Sequence, residues 1–80
     1  MKIEVLFFGK IREIIKKNSI NLEVSDNYTL RELVNRIITE YSVLSELSII
    51  YSKNNEYMYS LDISLKDSDI IGFIPPISGG

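Results

Sequence analysis

Thr29-Leu30-Arg31-Glu32-Leu33-Val34-Asn35-Arg36-Ile37-Ile38-Thr39-Glu40-Tyr41 is the stretch that decides the fold. Leu30, Leu33, Val34, Ile37, Ile38 and Tyr41 fall at i, i+3, i+4, i+7, i+8 and i+11. That spacing puts every one of them on a single stripe of a helix. Thr29 followed by Glu32 reads as a capping box, in which hydroxyl and carboxylate take the free N–H groups of the first turn. Glu32 and Arg36 stand four apart and are expected to pair on the outer face, worth about 0.3 kcal/mol. Asp26-Asn27 marks a turn before this helix.

The flanks read as strands. Toward the N terminus, Ile20, Leu22 and Val24 alternate with polar residues, which predicts a half-buried strand. Ile11, Ile14 and Ile15 recur at helical spacing, so residues 10–17 are expected to form a short helix, broken at Asn18-Ser19. Ile3, Val5 and Phe7 alternate along the first strand, and Gly9 ends it. Toward the C terminus, residues 48–53 are strand-like. Asn54-Asn55 suits a tight turn, because asparagine tolerates positive φ. Residues 56–59 make a return strand, 61–65 an irregular link and Lys66-Asp67-Ser68-Asp69 a turn. Residues 70–74 are the last strand, and Pro75-Pro76 stops it because neither ring can donate to a ladder.

The order is strand, short helix, strand, long helix and three strands. One helix must then cover one face of a mixed five-stranded sheet. This α+β order resembles the β-grasp fold of ubiquitin-like proteins. By that analogy the first and last strands lie side by side and parallel at the sheet centre. Residues 1–80 are expected to be a single β-grasp domain, with 75–80 an extended C-terminal tail.

Composition removes several function classes. The 80 residues are 45% hydrophobic and 25% charged, which fits a folded chain and not a disordered one. There is no cysteine and no histidine. A disulfide, a thiolate nucleophile, a thiolate metal site and an imidazole base are therefore all excluded. A net charge of −2 gives no electrostatic footprint for nucleic acid. No apolar run approaches the ~20 residues of a membrane span, and no leader is visible, so a cytoplasmic location without membrane contact is expected. Asp67 and Asp69 read as a turn signal, and no metal site is expected.

The tail carries the chemistry. Phe73-Ile74-Pro75-Pro76-Ile77-Ser78-Gly79-Gly80 runs from a strand through two prolines into two glycines. The prolines favour an extended course away from the body. The glycines strip every side-chain atom from the neighbourhood of the terminal carboxylate. A carboxylate so presented fits a narrow tunnel in another protein. Activated as a mixed anhydride with a nucleotide and attacked by a sulfur nucleophile, it becomes a thiocarboxylate.

Three segments make the resemblance specific. The opening run from Ile3-Glu4-Val5-Leu6-Phe7-Phe8-Gly9 to Arg12-Glu13 is similar to the start of the small subunit family of molybdopterin synthase, a V-L-F-F run followed by a small residue and R-E. The closing run from Leu65 to Gly80 resembles that family's L-x-D-G-D-x-V-A-F-x-P-P-V-[ST]-G-G. Asn55-Glu56-Tyr57-Met58 fits its hairpin. Ser68 departs from the pattern, standing where the family has glycine; if the position needs positive φ, serine costs about 1 kcal/mol.

The resemblance implies a sulfur carrier for molybdenum cofactor biosynthesis. A ubiquitin-activating-type adenylyltransferase uses ATP to adenylate Gly80, with Gly79 beside it. A persulfide source then delivers sulfur. The tail enters the large catalytic subunit and donates sulfur to a pyranopterin precursor. Two sulfurs are required, which implies a heterotetramer. The chain binds no cofactor of its own, and acid–base groups belong to the partner. The partner surface implied is Phe8, Arg12, Met58, Ile74, Pro75, Pro76, Ile77 and Ser78. Strand alternation places Leu6, Phe8, Ile70, Gly72 and Ile74 on the outer sheet face, with Met58 joining them from the hairpin. Exposed apolar groups beside a reactive end suggest docking, while ordinary surface hydrophobes are the plainer reading. For Arg12, a partner acid and simple solvation both stay open. Tyr51, Tyr57 and Tyr59 are expected to pack sideways on their strands. The alternatives for function are the sulfur carrier of thiamine biosynthesis, a ubiquitin-like modifier forming isopeptide bonds, and an interaction domain with an inert tail.

Overall fold

The computed structural model describes residues 1–76. Ile77, Ser78, Gly79 and Gly80, where much of the expected tail falls, lie outside the described residues. The elements are β1 (Lys2–Phe7), α1 (Gly9–Ile15), β2 (Ser19–Glu23), α2 (Leu30–Glu40), a 3-10 turn (Ser42–Glu46), β3 (Ile50–Lys53), β4 (Glu56–Met58) and β5 (Ile70–Ile74). Among the described residues the strands form one mixed sheet in the order β2-β1-β5-β3-β4. β1 and β5 are parallel neighbours at its centre, with Val5 opposite Ile71 and Phe7 opposite Phe73. This is the expected β-grasp arrangement.

α2 forms where its stripe and cap require. Glu32 N–H donates to the Thr29 hydroxyl at 3.2 Å, and Thr29 N–H donates to Glu32 Oε1 at 3.1 Å. The capping box therefore occupies the Glu32 carboxylate, so the expected Glu32–Arg36 pair is corrected. The ion pair on this helix is instead Arg31 with Asp62, at 2.7 Å. Leu30, Leu33, Val34 and Ile37 are buried against Ile3, Val5, Phe7, Ile71 and Phe73. Phe73 holds two rings edge-on, Phe7 at 5.7 Å and Tyr51 at 5.0 Å between centroids. Each such aromatic pair adds about 1 kcal/mol to simple area burial.

Several boundaries differ from expectation. α1 starts at Gly9 and stops at Ile15, because Lys16 takes a left-handed φ of 63° and closes the helix by donating to the Arg12 carbonyl. β4 ends at Met58, and β3 begins at Ile50. The 3-10 turn at Ser42–Glu46 has no repeat length to announce it, yet it buries Leu44.

The start of β5 is tied down closely. Lys66 and Asp69 close a turn: Asp69 N–H donates to the Lys66 carbonyl at 3.1 Å, and Lys66 N–H donates to Asp69 Oδ2 at 2.8 Å. Ser68, third in that turn, has φ 70°. Positive φ at that place favours glycine, so the departure noted in the sequence does carry a backbone cost.

Candidate functional site

The site begins where β5 runs out. β5 delivers Ile74 and Pro75 to the end of the sheet at which β1 turns into α1. Phe8 N–H donates to the Phe73 carbonyl at 3.2 Å, which clamps that corner to the last strand. Phe8 caps α1 in extended conformation and keeps 42% of its surface exposed. Its ring lies over Gly72: a Cβ there would come within 3.2 Å of Phe8 Cε2 and collide with Ser52 Oγ. Gly72 is thus on the outer face, as expected, but buried under Phe8 and Ser52 and not open to solvent. An isolated glycine inside a strand pattern was the available signal for this close approach.

Register decides which other residues share that face. Leu6 stands opposite Gly72, Gly72 opposite Ser52, and Ser52 opposite Tyr57. Directly opposed residues point to the same side of a sheet. Two positions along, Ile74 pairs with Ile50. Phe8, Ile70, Ile74, Ile50 and Tyr57 therefore form an apolar outer face next to the tail. All but half-buried Ile74 are among the exposed large hydrophobics.

Met58 does not belong to it. Met58 pairs with Tyr51, and Tyr51 with Phe73, so all three are on the helix side of the sheet. Met58 packs partly buried against the core. It borders an open cavity of about 550 Å³ shared with Tyr59 and Leu61. Ile50 and Tyr57 occupy the outer face where Met58 was expected. Of the tyrosines, Tyr51 packs on Phe73, and burial raises its pKa above the usual phenol value. Tyr59 is 95% exposed and does not pack sideways.

Arg12 is exposed on α1. Asp67 and Asp69 are committed to the fold: Asp67 Oδ1 accepts from Lys2 N–H at 2.8 Å, and Asp69 Oδ1 accepts from Asn54 Nδ2 at 3.0 Å. Pro75 is half-buried and Pro76 exposed. Ile77, Ser78, Gly79 and Gly80 fall outside the described residues. Among the described residues, no helix is long and apolar enough to cross a membrane.

The chain is similar to known proteins along its whole length. The sequence pattern of the ThiS family matches residues 5–80. The molybdopterin synthase sulfur carrier subunit of Chlamydomonas reinhardtii is 35% identical over 83 aligned positions, covering 100% of both chains. In a solved complex of subunits 1 and 2 of the molybdopterin-converting factor from Helicobacter pylori, the matching chain is 33% identical with a TM-score of 0.73, and 100% of each chain is covered. The small archaeal modifier protein 1 of Methanosarcina acetivorans shares the fold, with a TM-score of 0.79 at 24% identity over 99% of this chain and 96% of that one.

Proposed function

The chain belongs to the ThiS family, and we infer from its full-length likeness to molybdopterin synthase sulfur carrier subunits that it is such a subunit. The observation that carries the reading is the 35% identity to a molybdopterin synthase sulfur carrier subunit over the whole of both chains, with a family match that runs through residue 80 and so includes Gly79-Gly80.

The carboxylate of Gly80 attacks the α-phosphate of ATP on an activating enzyme, and pyrophosphate leaves. A persulfide sulfur then attacks the acyl carbon and displaces AMP. Reductive cleavage of the S–S bond by a thiol leaves the thiocarboxylate. This sulfur is nucleophilic in its own right, so no cysteine in the chain is needed. The terminus next enters the large subunit, where the thiocarboxylate sulfur displaces a carbon-bound oxygen of the pyranopterin precursor, which leaves as water with protons from the large subunit. Hydrolysis of the acyl link returns Gly80 as a carboxylate. The chain supplies the reactant, and the large subunit supplies the acid–base groups. Transfer of two sulfurs fits a heterotetramer of two small and two large subunits. Dependence on ATP fits a cytoplasmic location.

The outer face gives the tail its docking platform. Phe8 and Ile74 anchor it, with Ile50 and Tyr57 alongside; Arg12, Pro75, Pro76, Ile77 and Ser78 complete the proposed contact with the large subunit. Met58, on the opposite side of the sheet, contributes to the hairpin edge alone.

Intact mass spectrometry of the chain isolated with its activating enzyme tests the reading. The expected result is a mass gain matching one oxygen replaced by sulfur, lost when Gly80 is deleted. A truncated chain that still supports full sulfur transfer in a reconstituted synthase would exclude it.

A further inference from the structure

Gly9 combines two features that point to one role. Its φ is 53°, in the left-handed region that favours glycine. A Cβ on Gly9 would also lie 2.9 Å from Pro75 Cγ and 3.6 Å from Pro75 Cδ. The space a side chain would need is filled by the ring that begins the tail. Gly9 and Pro75 are distant in sequence, and the fold brings them together. Phe8 on one side is hydrogen-bonded to the Phe73 carbonyl, so the β1–α1 corner cannot retreat without breaking that bond. On the other side, the Pro75 ring fixes its own φ near −65°. The ring cannot swing aside as a flexible side chain would. Its seat against Gly9 is therefore passed to Pro76 as a direction.

We propose that Gly9 is a positioning residue: by leaving room for Pro75 it sets the direction in which the chain leaves β5. The proposal rests on the sulfur-carrier reading, because the exit direction matters only if the terminus must enter a second protein. In a positioned reaction a misplacement of ~1 Å can cost ~100-fold in rate.

The competing explanation is that glycine is there for its φ alone. Gly9→Asn separates the two, since asparagine tolerates left-handed φ but brings a Cβ. Thiocarboxylated chain is mixed with large subunit and precursor, and single-turnover sulfur transfer is followed at saturating large subunit. Thermal melting is recorded for each variant. Gly9→Asn is expected to melt cooperatively and to slow transfer by ~10-fold or more. The same substitution made beside Pro75→Ala is expected to slow transfer less than ~2-fold relative to Pro75→Ala alone, because the colliding ring atoms are gone.

Equal losses in the two backgrounds overturn the proposal, and so does unchanged transfer by Gly9→Asn. If Gly9→Asn fails to fold while the double variant folds, the collision with Pro75 is supported. If neither folds, Gly9 serves the fold in general and the proposal fails. An unsubstituted chain that takes up no sulfur overturns the carrier reading and this proposal with it; an active unsubstituted chain with insensitive variants overturns this proposal alone.

Discussion

The two ends of β5 are built in opposite ways. At its start, nearly every polar group is engaged. Asp69 accepts from Asn54 and from Lys66, Ile70 N–H donates to Asn54 Oδ1 at 2.9 Å, and Asn54 N–H returns to the Ile70 carbonyl at 2.8 Å. Glu4 N–H of β1 donates to the Asp69 carbonyl, and Ser68 N–H donates to the Lys2 carbonyl of β1. At its far end the strand passes into two prolines, which have no N–H to give. What fixes that end is one hydrogen bond, from Phe8 N–H to the Phe73 carbonyl, and otherwise contact: Phe8 over Gly72, and Pro75 against Gly9. One end is an anchor held chiefly by directional bonds that include side chains, the other an exit held chiefly by packing. The two prolines remove donors just past the strand, while its start is held by hydrogen bonds.

The contrast predicts where substitutions act on stability and where on binding. The largest effect is expected at the anchor. Asp69 is buried at 6% exposure and both its oxygens accept hydrogen bonds. Asp69→Ala leaves those donors without partners and should cost about 3 kcal/mol by urea unfolding. A loss below about 1 kcal/mol would show that water replaces the carboxylate and that the anchor is weak. At the exit the same measurement should barely move. Phe8→Asp is expected instead to weaken large-subunit binding by about 2 kcal/mol, because it places a charge in an apolar contact. Unchanged affinity by calorimetry would remove the outer face from the interface.

Ser68→Gly sharpens the comparison in the other direction. Relief of the left-handed serine, offset by the greater freedom of unfolded glycine, should stabilise the chain by about 0.5 kcal/mol. A decrease in melting temperature would contradict it. The smallest effect belongs to Asp62→Asn, away from both ends. Arg31 holds the Asp62 carboxyl below the usual carboxylate range through a hydrogen bond first and its charge second. A depressed carboxylate stabilises the fold above its unfolded pKa, and that contribution fades as pH falls through the folded value. Both side chains are exposed and screened. Stability of Asp62→Asn and of the unsubstituted chain should therefore converge in acid and in high salt, after a small gap at neutral pH. A gap that persists in acid would point to packing in place of charge.

Much of this was written along the chain. β5 falls at residues 70–74 and stops before the two prolines, as expected, and α2 starts at the residue its capping box marks. Such signals are local, and a period or a cap needs no distant partner. Met58 shows the limit. Asn54 and Asn55, with φ of 51° and 70°, form a two-residue turn that pairs Lys53 with Glu56 and so Tyr51 with Met58. That much was countable from the turn. Which face Tyr51 takes depends on its register against Phe73, a pairing between segments 22 positions apart that no local pattern sets. A shift of one residue would have exchanged the two faces.

The amino-acid order alone determined the periodic elements and their succession, which resembles the β-grasp order, and the Pro75-Pro76 stop after the last strand. Only the folded chain decided that Phe8 shields Gly72, that Ile50 and Tyr57 complete the outer face, and that Pro75 rests where Gly9 has no side chain. The physical reason is range: helix and strand periods arise between near neighbours, whereas shape complementarity arises between surfaces that meet only after the sheet has formed.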